Sequence, residues 1–303
     1  MFDNKNAKVE MVVNSGETAI FDRSPAALVV GCGGLGMSVA RALGKHHPLI
    51  LVDIDAERLD GAVESLHLEG YVVSGQKCDI TDKGDVAELQ GTVSKGAGLC
   101  AFVQVAAVGK SIGDWRRMME IDLFGACHMA EAVGPHLVPG GAAVLISSLA
   151  SYLPPADPRI DALLDDPLRA GFLDELVEVH GGEPDFDWTY NYAKLGINKL
   201  AERLAVAWGE REVRAVSLSP GMIDSPMARA EGETLPAHDG SGARVSRAEK
   251  AREVPLRREG RLLEITSVIE FLVSDRASFL NGIDITVDGG HRAVWRANGT
   301  ISR

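Results

Sequence analysis

Tyr190-Asn191-Tyr192-Ala193-Lys194 sets a phenol and an ammonium four residues apart, in a stretch (187–208) whose pattern predicts a helix. Residues four apart share a helix face, so the Tyr190 hydroxyl and the Lys194 ammonium can meet at one spot. A phenol ionises near pH 10 and is a poor base at neutral pH, whereas a cation held beside it favours the phenolate. Such a pair is suited to moving a proton to or from an alcohol or carbonyl oxygen. Tyr192 lacks this partner, because Gly196 stands four residues on. Alone, such a pair is more often a packed ring beside a solvated amine, so the weight falls on its surroundings.

The surroundings include a second constellation. The apolar run 26–30 predicts a buried strand, and Gly31-Cys32-Gly33-Gly34-Leu35-Gly36 follows it at once, ahead of a helical stretch at 37–43. Gly31, Gly33 and Gly36 form GxGxxG between strand and helix. Glycines there allow the tight turn, the close approach of backbone to a pyrophosphate, and helix–strand packing. The helix N-terminus then offers its unpaired N–H groups to phosphate. A second strand, 48–52, ends at Asp53, about where an acidic residue takes the ribose hydroxyls in such sites. A carboxylate there repels an extra ribose phosphate, and neither the glycine loop nor the residues just after Asp53 offer an evident Arg. The expectation is NAD rather than NADP.

These residues need a frame. Helical stretches at 56–68 and 114–137, and strands at 71–77, 99–105, 142–146, 213–218 and 283–287, continue the alternation, with a last helix at 264–273. The pattern predicts an α/β fold with one doubly wound parallel sheet and helices on both faces. Ligands of such sheets sit at the carboxyl ends of the strands. Gly31, Asp53, Asp79 with Ile80, and Ser147-Ser148 all fall there. Asp79 reads either as an adenine contact or as a helix cap.

Two segments interrupt the alternation. Residues 151–186 contain Pro154-Pro155, Asp157-Pro158 and an amphipathic stretch at 159–180. This helical insertion lies near the active site, as a surface decoration, a cap over the substrate pocket or a piece of subunit interface. Residues 226–255 are polar and read as a mobile substrate loop. From Arg244 to Arg261 the chain is basic, with Arg244, Arg247, Lys250, Arg252, Arg257 and Arg258 between, so contacts to an acidic substrate or to cofactor phosphates are expected. Residues 1–25 read as an N-terminal arm with a short strand or hairpin at 9–21, and 26–303 as one Rossmann-like domain built on the parallel sheet.

Composition closes off other classes. Charged residues make up 24% and hydrophobic residues 46%, as in a globular chain with a sizeable core. The net charge of −12 argues against nucleic acid or an anionic membrane as the main partner. The four cysteines form no CxxC pair and the eight histidines no HExxH cluster, so no metal site is expected and a reducing cytoplasm is the simplest home. No signal peptide and no apolar run near 20 residues stand out.

Taken together, 26–290 resembles the short-chain dehydrogenase/reductase family. The resemblance is carried by the Tyr190/Lys194 spacing, Ile146-Ser147-Ser148, Pro220-Gly221 and Val287-Asp288-Gly289-Gly290. The insertion before Tyr190, with 205–210, is similar to the bacterial 3α-hydroxysteroid dehydrogenase/carbonyl reductase branch. The resemblance implies a Rossmann-like fold and hydride transfer between NAD(H) and a secondary alcohol or ketone, such as a hydroxysteroid. It makes Tyr190 the general acid/base and Lys194 its helper and ribose ligand. Ser148, second of the serine pair, becomes the substrate-oxygen ligand. Pro220, Gly221, Ile223 and Ser225 fall at the nicotinamide end, and Asp53, Asp79 and Ile80 at the adenosine end. Asp122 stands where the family usually has the asparagine of a proton relay, and Gln104-Val105-Ala106-Ala107 replaces Asn-Asn-Ala-Gly. A homodimer or homotetramer is implied, with the insertion changing the mode of assembly. The alternatives are a non-catalytic NAD-binding sensor or scaffold, favoured by the changes at Gln104 and Asp122, and a nucleotide-sugar epimerase, for which few residues remain after Gly290.

Overall fold

A computed structural model describes residues 23–230, 232, 234–236 and 244–301. The strand or hairpin expected at 9–21 lies outside them. The first half of the chain alternates β1 (Ala26–Val30), α1 (Gly34–Leu43), β2 (Leu49–Asp53), α2 (Ala56–Leu68), β3 (Val73–Lys77), α3 (Lys83–Val93) and β4 (Leu99–Gln104). Then come α4 (Trp115–Met119), a π-helical turn at Glu120–Gly125, α5 (Ala126–Val133) and β5 (Leu137–Ile146). The insertion holds α6 (Pro158–Leu164) and α7 (Phe172–His180), ahead of the long α8 (Phe186–Trp208) and β6 (Arg214–Pro220). Beyond these are β7 (Ile223–Asp224), α9 (Pro226–Ala230), β8 (Thr234–Pro236), β9 (Arg244–Ser246), α10 (Arg247–Ala251), β10 (Gly260–Arg261), α11 (Leu262–Val273), β11 (Asp284–Val287) and α12 (His291–Ala297).

Seven strands form one sheet in the order β11-β6-β5-β4-β1-β2-β3, every pair parallel. Parallel crossovers place helices on both faces, which is why β1 and β2 are buried along their length and, but for the terminal Asp53, apolar. Side chains alternate between the faces. Leu28, Val30, Phe102 and Leu145 pack toward α3, α5 and α8. Ala27, Val29, Val103 and Val144 pack toward α1, α2 and α11. The direction of winding reverses at β1, between β2 and β4, which opens a crevice at the carboxyl ends there.

The helix starts follow side-chain chemistry. Asp55, Asp82 and Asp185 accept hydrogen bonds from first-turn N–H groups of α2, α3 and α8. The cap before α3 is therefore Asp82, not Asp79. The helix expected at 114–137 is broken by the π turn and ends at Gly134-Pro135, and β5 starts at Leu137 rather than 142.

The insertion belongs to the helical layer. Ile160, Leu163, Leu164, Phe172 and Leu176 are buried in the same core as Leu123, Ile197 and Leu200. Phe172 meets Phe124 edge-on with ring centres 5.3 Å apart. Lys199 pairs with Asp165 at 2.9 Å and Arg116 with Glu183 at 3.2 Å.

The stretch expected as an irregular substrate loop is partly ordered secondary structure: α9, the antiparallel pair β8 and β9, and α10 with a Ser246/Glu249 capping box. Several of its cations serve that structure. Arg247 pairs with Glu259 and donates to the carbonyls of Ala228 and Ile223. Lys250 pairs with Glu253 at 3.0 Å and Arg258 with Glu264 at 2.6 Å. These three are engaged within the protein, which narrows the expected contacts with a substrate or phosphates to the other cations of the run.

Candidate active site

The crevice floor is the turn between β1 and α1. Gly31 has φ +99°, and a Cβ there would stand 2.8 Å from the Ala106 nitrogen. A Cβ on Gly36 would lie 1.7 Å from the Gly31 carbonyl oxygen, so α1 crosses its own turn at a distance only glycine allows. At Gly33, the N-cap, no side chain caps the helix and nothing lies within 4 Å of an added Cβ. An open helix N-terminus of this kind suits a pyrophosphate. Pro226 and Leu262 close over Gly34, while Leu35 packs partly into the core below α1.

Asp53 ends β2 and is 6% exposed. Its Oδ2 accepts from the Cys32 backbone N–H at 2.7 Å, and its Oδ1 from the Asp55 N–H at 3.0 Å and Arg58 at 3.3 Å. The carboxylate thus pins the glycine turn to the end of β2. Arg58 also pairs with Asp55 at 3.1 Å. This corrects the expectation that no arginine stands near Asp53. The signal was available, because an Asp55 cap turns the residue three positions on back toward the strand end. Burial first, and then the Asp53 charge, push the Cys32 thiol up to about 12, which leaves it unreactive.

Asp79 is engaged on both oxygens. Oδ1 accepts from the Thr81 N–H and hydroxyl, and Oδ2 from Arg117 at 3.0 Å. Burial opposes the charge, but the Thr81 and Arg117 contacts win and hold the carboxyl below its usual range. Any adenine contact here competes with an ion pair. Ile80 is buried, and a Cβ on Gly125 would lie 2.5 Å from it, so its side chain fills core space. Gly221 donates to the Val287 carbonyl, and a Cβ on it would meet Asp288 at 2.7 Å. Beyond Pro220 at the end of β6, Ile223 pairs with Gly260, and the Ser225 hydroxyl accepts from the Ala228 N–H.

The residues expected to handle a proton lie at the start of α8. Tyr190 and Lys194 share a face, with Nζ 5.5 Å from the tyrosine ring centre. Ser148 follows β5 and its hydroxyl oxygen accepts from the Ala150 N–H at 3.2 Å, leaving the hydroxyl hydrogen to give elsewhere. Ser147 is different: it is buried and donates to the Lys194 carbonyl at 2.9 Å, which ties β5 to α8. Asp122, carried by the π turn, accepts from the Val108 N–H at 2.8 Å with Oδ1. Its Oδ2 stands 3.2 Å from Lys194 Nζ. Burial acts against the ammonium, but Asp122 and then Tyr190 outweigh it and hold Lys194 above its usual value. A phenol, an ammonium and a hydroxyl are thus available at the carboxyl end of the sheet that also bears the glycine turn.

Two family models cover most of the chain. One, described as short chain dehydrogenase, matches residues 25–157. The other, described as enoyl-(acyl carrier protein) reductase, matches residues 176–292. The chain belongs to the short-chain dehydrogenase/reductase family. It is an oxidoreductase of that family, whose members use a nicotinamide cofactor.

The chain is 29% identical over 274 residues to a 3-alpha-hydroxysteroid dehydrogenase/carbonyl reductase of Comamonas testosteroni, covering 89% of this chain and 97% of that protein. It is 27% identical over 278 residues to a cis-4-hydroxycyclohexanecarboxylate dehydrogenase of Sinomonas cyclohexanicum, covering 88% and 96%. Two solved structures share the fold. A short-chain type dehydrogenase/reductase from Mycobacterium ulcerans matches with TM-score 0.69 and 24% identity over 90% of this chain and 91% of that one. A blue fluorescent protein from a metagenomic library, solved with NADPH, matches with TM-score 0.65 and 18% identity over 90% and 99%. Among the described residues, no group of His, Cys, Asp and Glu is placed to hold a metal ion, and no helix is long and apolar enough to cross a membrane.

Proposed function

We propose that this short-chain dehydrogenase/reductase interconverts a bulky secondary alcohol and its ketone with NAD(H). The observation that carries the proposal is Tyr190 and Lys194 on one face of α8, with Ser148 at the carboxyl end of β5, in the sheet whose β1 leads into an uncapped α1 N-terminus. The dinucleotide, when bound, supplies the hydride acceptor or donor. Tyr190 gives its hydroxyl proton to the carbonyl oxygen in reduction and takes one from the alcohol in oxidation. Ser148 donates to the same oxygen as charge develops on it. Lys194 holds the nicotinamide ribose and keeps a cation beside the phenol. The N–H groups from Gly34 to Gly36 bind the pyrophosphate, and Asp53 receives the adenosine ribose.

The preference for NAD survives the presence of Arg58. Two carboxylates, Asp53 and Asp55, face that single guanidinium, so an added ribose phosphate meets a net negative neighbourhood. The hydroxysteroid and hydroxycyclohexanecarboxylate relatives support an alicyclic alcohol as the substrate class. The location proposed is the cytoplasm, and the assembly a homodimer or homotetramer. The deciding experiment offers NAD and NADP with a panel of hydroxysteroids and cyclic hydroxy acids and follows absorbance at the reduced-nicotinamide band. Turnover that Tyr190→Phe abolishes is expected. Tight dinucleotide binding with no turnover on any alcohol or ketone would instead support the sensor reading, to which Gln104 in place of the family's asparagine lends some weight.

A further inference from the structure

The charges buried behind the proton-handling pair bear on which redox form of the dinucleotide the site favours. Lys194 and Asp122 face each other at 3.2 Å and are 3% and 2% exposed. Neither has bulk water to screen it, so each is felt at close range through a poorly polarisable interior. The neighbouring charges are occupied elsewhere: Glu120 pairs with Arg117 at 3.2 Å, and Arg117 with Asp79 at 3.0 Å. The oxidised nicotinamide ring carries a positive charge, while the reduced ring is neutral. A lone buried ammonium in this place would repel the first and be nearly indifferent to the second. An ammonium matched by a carboxylate is nearly indifferent to both.

We infer that Asp122 is a positioning residue that offsets the Lys194 charge at the nicotinamide end of the crevice, and so tilts dinucleotide binding toward the oxidised form. The inference rests on the proposed function, in which Tyr190 and Lys194 lie against the nicotinamide. It also gives the buried pair a purpose, since burying two charges brings little stability of its own. The anchoring of Asp122 Oδ1 by the Val108 N–H keeps the carboxylate from turning away from Lys194.

The test is a pair of equilibrium measurements on the full chain, independent of turnover. Dissociation constants for NAD+ and NADH are taken by calorimetry and by reduced-nicotinamide fluorescence. In Asp122→Asn the ratio of oxidised to reduced dissociation constants is expected to rise about tenfold. Asp122→Glu, which keeps the charge, is expected to keep the parent ratio. A purely structural role would weaken both forms alike and leave the ratio unmoved. Should the Asn variant fail to fold with an amide set against the ammonium, Asp122→Ser removes the same charge without that clash. An unchanged ratio in a folded, charge-removed variant overturns the inference and leaves the proposed function standing. Failure of the unsubstituted chain to bind any nicotinamide dinucleotide overturns both.

Discussion

At the scale of single residues, the phenol is the group on which turnover is expected to depend. Tyr190→Phe keeps the ring over Lys194 and removes only the hydroxyl, so a fall in kcat of about 10²-fold or more is expected, with little change in dinucleotide affinity. Stopped-flow turnover and NADH titration on the same preparation check both halves. Asp53 invites a second prediction. Asp53→Ser removes the carboxylate that repels a ribose phosphate and frees Arg58 to meet one, so kcat/KM should move from NAD toward NADP by on the order of tenfold. Steady-state kinetics with the two cofactors decide it. Asp53 was legible in the sequence because its position after a strand is enough. Its hold on the Cys32 N–H was not, since that contact depends on how the glycine turn closes. Only the family resemblance put Asp122 near Lys194, at the relay position; the direct 3.2 Å contact was not legible, because it forms only when α8 packs on the π turn.

At the scale of elements, the glycine turn and the β3–α4 junction are the places to press. Gly36→Ala would drive a methyl into the Gly31 carbonyl oxygen, so α1 must lift from β1. A loss of about 3 kcal/mol and of dinucleotide binding is expected, read by urea unfolding and NADH fluorescence. The Asp79–Arg117 pair joins the end of β3 to α4. Its carboxyl is held below the usual range in the folded chain, so this contribution is present above about pH 4 and is lost as pH falls through the folded value. Arg117→Ala should therefore cost about 1 kcal/mol near neutral pH and progressively less in acid, as thermal midpoints across a pH series would show. Most elements were legible from periodicity, down to the bounds of α2. The exceptions have physical causes. The π turn keeps the apolar pattern of an ordinary helix while adding a residue to one turn, so no spacing announces it. In the stretch before α11 a polar sequence forms short elements through caps and ion pairs rather than through an apolar face.

At the scale of the whole molecule, the insertion is the departure from a plain doubly wound frame. Because α6 and α7 share the core beneath α8, they cover helical surface that would otherwise be free for a partner copy. Deleting residues 155–183 is expected to change the assembly, and light scattering would show it as a change in mass; an unchanged mass would refute the role in assembly. The seven-stranded sheet has another consequence. No two of its neighbouring strands are joined by a tight turn, since every pairing is parallel and reached through a crossover. Nothing in it can zip up locally, and long loops must close before any ladder rewards them. After dilution from denaturant the chain should regain its shape slowly, and recovery should drop as concentration rises, because half-made sheets with bare borders stick to one another faster than they finish.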